Sequence, residues 1–265
     1  MNKTIKEINF KLLDTYLDRH VDAKDMVWDV NHPKIVIWSG GADSTLLLYE
    51  TGLKCKERNM PVDAIHINVP YLDKNKCDKE KECREYMLER MKAEGIEVKY
   101  SEIKIDSDTW QNDHYDGRGK ENINWFLPQQ MMWTILALQL SPDGSDVFFG
   151  YIRHDDFFSI VNEIKNLWYY ANLAQNKNIK FHTPYESLFK HNILSQCMEY
   201  GIFDHTWTCE NPIKHDDGRI ETCKTCHPCE SRRDALFYLA CNGNLWAERK
   251  LEEEFGIIVG GKIHE

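Results

Sequence analysis

The apolar positions of this chain fall into short blocks divided by charged stretches, and the blocks alternate between strand and helix periods. Ile35 to Trp38 is a run of four apolar residues and predicts a short strand buried on both faces. A helix is predicted from about Ser44 to Asn59, ending near Met60-Pro61. Val62 to Val69 alternates and is rich in β-branched residues, the pattern of a second strand. Asp73 to Lys81 is densely charged, and Glu82 to Glu94 continues as a helix with Tyr86, Met87, Leu88 and Met91 inward, ended by Gly95. Ile96 to Ile105 predicts a third strand, Pro128 to Leu140 a helix and Asp146 to Gly150 a fourth, short strand. A helix over about Ser159 to Ala174, a strand and turn at Phe181 and Pro184, and a helix over Tyr185 to Tyr200 complete this part. The βαβαβ rhythm implies right-handed crossovers and an α/β fold with a doubly wound, mostly parallel sheet. Ligands of such sheets sit beyond the strand C-termini.

The turn after the first strand, Ser39-Gly40-Gly41-Ala42-Asp43-Ser44-Thr45, lies at that edge. Adjacent glycines let consecutive N–H groups converge where the next helix presents its positive end, which makes an anion cradle. The hydroxyls of Ser39, Ser44 and Thr45 are expected as further donors, and Asp43 as a carboxylate able to hold a metal ion. A strand-turn-helix corner that uses glycine for packing and serine as a cap is the plain alternative. The string lacks the Gly-Lys-Ser/Thr end of a Walker loop and the Gly-x-Gly-x-x-Gly of a dinucleotide turn. It resembles the PP-loop of the N-type ATP pyrophosphatases. That resemblance implies the adenine nucleotide alpha hydrolase-like fold and cleavage of ATP between the α- and β-phosphates.

Composition narrows the class. With 265 residues, 42% hydrophobic and 29% charged, the chain suits one sizeable soluble domain plus a small appendage. No apolar run reaches membrane-spanning length and the first residues lack a signal-peptide core, so a cytoplasmic protein with no membrane partner is expected. A net charge of −10 disfavours a salt-driven grip on nucleic acid. Nine cysteines are present, and four of them, Cys209, Cys223, Cys226 and Cys229, fall within 21 residues. Two overlapping Cys-x-x-Cys steps with a fourth cysteine upstream match a closed, structural zinc site. A redox pair and an iron–sulfur cluster are the alternatives for the same ligands. Four parts are thus expected: a helical preface over 1–30, the ATP-binding domain over 31–205, a zinc-binding segment over 206–245 and a tail over 246–265.

Loop and cysteine motifs together resemble the 7-cyano-7-deazaguanine synthase family of the queuosine pathway, from about Ile35 to Leu236. Between the ends, Phe126-Leu127-Pro128, Gly150 with Asp155, His182-Thr183-Pro184 with Lys190, Thr206-x-Thr208-Cys209 and Cys229-x-x-Arg232 follow the family's order. Other stretches differ: Ile67-Asn-Val-Pro70-Tyr71-Leu72 and Gln130-Met131 replace family motifs, and Phe157-Phe158-Ser159 runs on where the family carries a base-pocket segment. The aromatics Tyr151, Phe157 and Phe158 suit either stacking on a base or a core. The resemblance implies ATP, magnesium and zinc as cofactors, a 7-deazapurine carboxylate and ammonia as small-molecule partners, and a homodimer. It implies that Trp38, Ser39, Gly40, Gly41, Ala42, Asp43, Ser44, Thr45, Leu46, Leu47 and Gly150 surround the nucleotide. Asp43, Asp155 and Lys190 are the implied catalytic residues, Lys190 as a phosphate-neutralising cation. The implied reaction adenylates 7-carboxy-7-deazaguanine, amidates it and converts it towards the nitrile. A PP-loop enzyme with another acceptor, and a non-catalytic nucleotide- and zinc-binding module, are the rival readings.

Overall fold

The computed structural model describes residues 31–68, 73–104 and 129–259. The helical preface over 1–30, the segment 69–72, and the loop and Phe-Leu-Pro step within 105–128 lie outside the described residues. Five parallel strands form one sheet in the order β3-β2-β1-β4-β5: β1 Lys34–Ile37, β2 Val62–Asn68, β3 Val98–Lys104, β4 Asp146–Phe149 and β5 Lys180–His182. Its order reverses between β1 and β4, and this switch point is where a doubly wound sheet opens a crevice.

Period-two alternation sorts each strand between two cores. Val36, Val62, Ala64 and Phe148 face α1 (Ala42–Glu57), α2 (Lys74–Ala93) and α5 (Lys190–Glu199). Ile35, Ile37, Val147 and Phe149 face the other side, which α3 (Gln129–Leu140) and α4 (Val161–Gln175) cover. All four residues of β1 and of β4 are buried, as expected for strands sandwiched between helices. Even Lys34 is enclosed, with its Nζ 2.5 Å from Asp146 Oδ2. His182 Nε2 lies 2.9 Å from the other oxygen. Burial opposes ionisation of Asp146, but the contacts with His182 and Lys34 outweigh it and hold the carboxyl well below the usual carboxylate range.

Two boundaries and one inward assignment differ from the sequence reading. The charged stretch after Asp73 is the first half of α2, because the Asp73 side chain accepts from the N–H groups of Asn75 and Lys76 and caps the helix there. Three of its charged residues, Lys76, Glu80 and Arg84, turn inward in line with Met87 and Met91, whereas Tyr86 lies half exposed and stacks on His205. Residues 185–189 form a turn rather than a helix, so α5 begins at Lys190.

Beyond residue 206 come a two-residue hairpin, β6 (Ile213–Lys214) with β7 (Ile220–Glu221), then α6 (His227–Cys241) and α7 (Leu245–Phe255). The tail expected from 246 onward starts inside α7, whose Ala247 and Leu251 share the core that holds α1. Arg232 of α6 makes a two-pronged contact with Glu254 of α7, both nitrogens at 2.8 Å, and lies over the Phe203 ring.

Candidate active site

The crevice at the switch point is a cavity of about 300 Å³. Its floor is the β1–α1 turn. Gly40 takes φ +103°, and a Cβ there would stand 2.9 Å from the Glu80 carbonyl oxygen, so both conformation and space require glycine. Gly41 caps α1, accepting from the Thr45 N–H. The N–H groups of Gly40, Ala42 and Asp43 donate to no acceptor among the described residues, and Ala42 and Asp43 belong to the first turn, where a helix leaves its donors free. Ser39 and Ser44 bridge the loop, with hydroxyls 3.0 Å apart, and the Gly41 N–H donates to Ser39 Oγ.

Lys190, the first residue of α5, places Nζ 2.6 Å from Asp43 Oδ2. The second oxygen, Asp43 Oδ1, is buried without a partner. Asp155 follows β4 and accepts from the Ile152 N–H at 2.7 Å. Burial pushes its carboxyl up to about 6, with the charge of Asp43 adding to the rise and the Ile152 N–H and Lys190 opposing it. Gly150 allows the approach of β4 to α1, since a Cβ would meet the Ser44 nitrogen at 2.9 Å. The three expected catalytic residues therefore converge with the loop on one cavity.

Other expected site residues lie elsewhere. Thr45 is buried and its Oγ1 accepts from Trp38 Nε1 at 3.0 Å, so its hydroxyl does not join the anion cradle. Leu46 and Leu47 face the core, because the helix turns them away from its N-terminus. Phe157 is fully buried and stacks on Tyr151 at 3.9 Å, which makes it core rather than a free stacking face.

The opposite wall comes from the cysteine segment. The Trp207 N–H donates to the Gly40 carbonyl at 3.1 Å and joins this wall to the loop. Cys209, Cys223, Cys226 and Cys229 bring all four sulfurs within 4.8 Å of one another. A zinc ion bound to thiolates at ~2.3 Å sets tetrahedral edges of about 3.8 Å, so the set fits a metal ion. Backbone N–H groups of Cys223, Cys226 and Glu210 point at the sulfurs of Cys209, Cys223 and Cys226, the outer shell that thiolate ligands require.

Sequence reading missed several cavity residues. His66 of β2 sits with Nδ1 3.0 Å from the Trp38 carbonyl, and burial, then Arg84, lowers its pKa to about 4, which keeps the ring neutral. Arg84 donates to the Ser39 carbonyl at 2.7 Å, and Lys76 donates to Glu210 across the cavity. The signal available was the four-residue spacing of Lys76, Glu80 and Arg84, which puts all three on one helix face with Met87 and Met91.

A parallel sheet of this order, with a glycine-serine anion loop after its first strand and a four-cysteine segment closing the crevice, defines a nucleotide-binding protein of the PP-loop class. The family model described as "Queuosine biosynthesis protein QueC" matches residues 33–239, and the chain belongs to that family. As a member it is an ATP-using enzyme. A 7-cyano-7-deazaguanine synthase from Clostridium novyi (strain NT) is 28% identical over 222 residues, covering 77% of this chain and 93% of that protein. Among solved structures, the U34-tRNA thiolase NcsA from Methanococcus maripaludis with its 4Fe-4S cluster aligns at TM-score 0.44 and 16% identity, covering 100% of this chain and 84% of that one. The NMN synthetase from Francisella tularensis aligns at 0.38 and 13%, covering 97% and 98%. At these scores the fold class rests on strand order and the family match. Among the described residues no helix is long and apolar enough to cross a membrane.

Proposed function

We propose that the protein transfers AMP from ATP to a carboxylate, releasing pyrophosphate, and then replaces AMP with ammonia. The favoured acceptor is 7-carboxy-7-deazaguanine, carried through the amide towards 7-cyano-7-deazaguanine. The observation that carries this reading is the meeting of Asp43, Lys190 and Asp155 with the free N–H groups of the β1–α1 turn on one cavity. Those N–H groups and Lys190 receive the charge that develops on a departing pyrophosphate, and their fixed positions remove the need to reorganise at the moment of reaction. The strand ends hold the acceptor carboxylate close to the α-phosphate, and the two walls exclude water from the activated acid. Asp43, with its unpaired Oδ1, and Asp155 are the residues that would hold a magnesium ion, which when bound offsets phosphate charge. The four cysteines suit zinc in a closed structural site.

The test is incubation of metal-loaded protein with ATP, magnesium, ammonium and 7-carboxy-7-deazaguanine, with products read by mass spectrometry. Amide or nitrile formed together with AMP and pyrophosphate is expected. ADP formation, or no product from folded protein, contradicts the reading.

A further inference from the structure

Lys76, Glu80 and Arg84 stand four residues apart on α2 and are only 6%, 6% and 3% exposed. A helix face so enclosed normally carries apolar residues, and α2 does so only further along, at Met87 and Met91. The charged part of the stripe lies against the phosphate loop, where Arg84 holds the Ser39 carbonyl and the Glu80 backbone abuts Gly40. Burying charge is unfavourable unless each group is paired, and here the pairing is uneven. Lys76 donates to Glu210 on the cysteine-held wall and keeps 3.8 Å from Glu80 Oε1. Glu80 receives no hydrogen bond from any described residue, although it is nearly enclosed and lines the cavity. Two carboxylates thus flank a single lysine ammonium, and the one without a hydrogen bond faces the space that the reacting carboxylate shares.

We propose that this wall is an amine subsite, in which Glu80 and Glu210 seat an ammonium ion and Glu80 takes its proton. The inference rests on the functional reading above and assigns its nucleophile a place. Ammonium has no free electron pair, so a base must act before attack. One N–H bond breaks and its proton passes to a Glu80 oxygen. The freed pair forms the C–N bond to the activated acyl carbon. The C–O bond to AMP breaks with its electrons going to the phosphate, and a second nitrogen proton leaves on that phosphate oxygen. Burial pushes Glu80 up to about 7, Lys76 and Arg84 restrain the rise and Glu210 adds to it, which suits a base working near neutral pH. Asp43, Asp155 and Lys190 face the cavity from the loop side, and His66 stands neutral on β2.

Glu80→Gln keeps the shape and removes the base. Amide formation from ammonium chloride and pyrophosphate release are read in one reaction, and their ratio is expected to fall about 100-fold in the variant. Hydroxylamine, already unprotonated at neutral pH, is expected to restore product as the hydroxamate. In native protein the same ratio is expected to drop as pH falls below about 7. An unchanged ratio in the variant, or no rescue by hydroxylamine, overturns the assignment. A second measurement needs no turnover: the Glu80 carboxyl carbon resonance, assigned by its loss in Glu80→Gln, is titrated with ammonium chloride and with tetramethylammonium chloride. A shift with ammonium alone supports the subsite, and equal responses to both salts overturn it. Native protein that shows this shift but releases no pyrophosphate with the acid sinks the functional reading and leaves the amine subsite standing.

Discussion

The two walls of the cavity are held by different forces. On the sheet side, β1, α1 and the end of β4 are rooted in apolar core, with Trp38, Leu46 and Phe149 enclosed. On the other side, the segment from Thr206 to Cys226 contains no element longer than two-residue strands, and β6 is exposed along its length. That segment is too small to bury enough apolar surface by itself, and it is fixed instead by four sulfurs, by the Trp207–Gly40 hydrogen bond and by the Lys76–Glu210 pair. On the proposed zinc-bound reading, the cysteine wall depends on metal and the sheet wall does not. The walls should fail separately.

The largest expected effect is on the cysteine wall. Structural zinc stabilises small peptides by ~10–16 kcal/mol, far more than these short strands supply, so Cys229→Ser should lose its metal and order around residues 206–231. Metal analysis with limited proteolysis checks this: cleavage should concentrate in that segment while the circular dichroism of the sheet and helices persists. Simultaneous loss of both would mean that the walls are one cooperative unit.

A smaller effect is expected at the far end of the sheet. Asp146→Asn leaves Lys34 buried without its carboxylate, and breaking such a pair costs about 3–5 kcal/mol, read as a lower Tm. Because the carboxyl of Asp146 is held below its ordinary range, it contributes stability above the unfolded carboxylate pKa of about 4, lost as pH falls through and below that value. The native protein should therefore lose stability on acidification more steeply than the variant, and parallel acid limbs would contradict this. Cysteine-bound metal at neutral pH should be unchanged by the substitution.

The smallest effect sharpens the contrast from within the sheet-side wall. Gly150→Ala puts a Cβ 2.9 Å from the Ser44 nitrogen and 3.0 Å from the Asp43 carbonyl carbon, so the backbone of the turn must shift to admit it. Overpacking of this kind costs about 1–3 kcal/mol in stability. Nucleotide affinity, measured by calorimetry, should fall with it, since the displaced turn carries the free N–H groups. Unaltered affinity would separate Gly150 from the site.

Much of this architecture was legible in the chain because β1 and β4 are short, mainly apolar runs and β2 is an alternating, β-branched one, each set between helix-period blocks. The β1–α1 turn was equally legible, since Gly40 and the free donors after it follow from backbone sterics alone. Lys76, Glu80 and Arg84 were not, because charge in sequence reads as solvent exposure, and only the tertiary position of α2 against the loop encloses them. The family resemblance places Thr45, Leu46 and Leu47 around the nucleotide, whereas the 100° step of a helix carries their side chains into the interior within one turn. The register of α5 depended on the Arg153–Leu188 backbone hydrogen bond, a long-range contact that fixes the turn before Lys190 and has no local signature.

The central claim is that the cavity formed by the β1–α1 turn, Asp43 and Lys190 activates an acid by AMP transfer. It is tested most directly by exchange of labelled pyrophosphate into ATP, with and without 7-carboxy-7-deazaguanine, in native protein and in Asp43→Ala that remains folded. Exchange that depends on the acid and falls at least ~100-fold in the variant is the predicted result. Exchange at native rate in Asp43→Ala, or label appearing with no acid present, would contradict it.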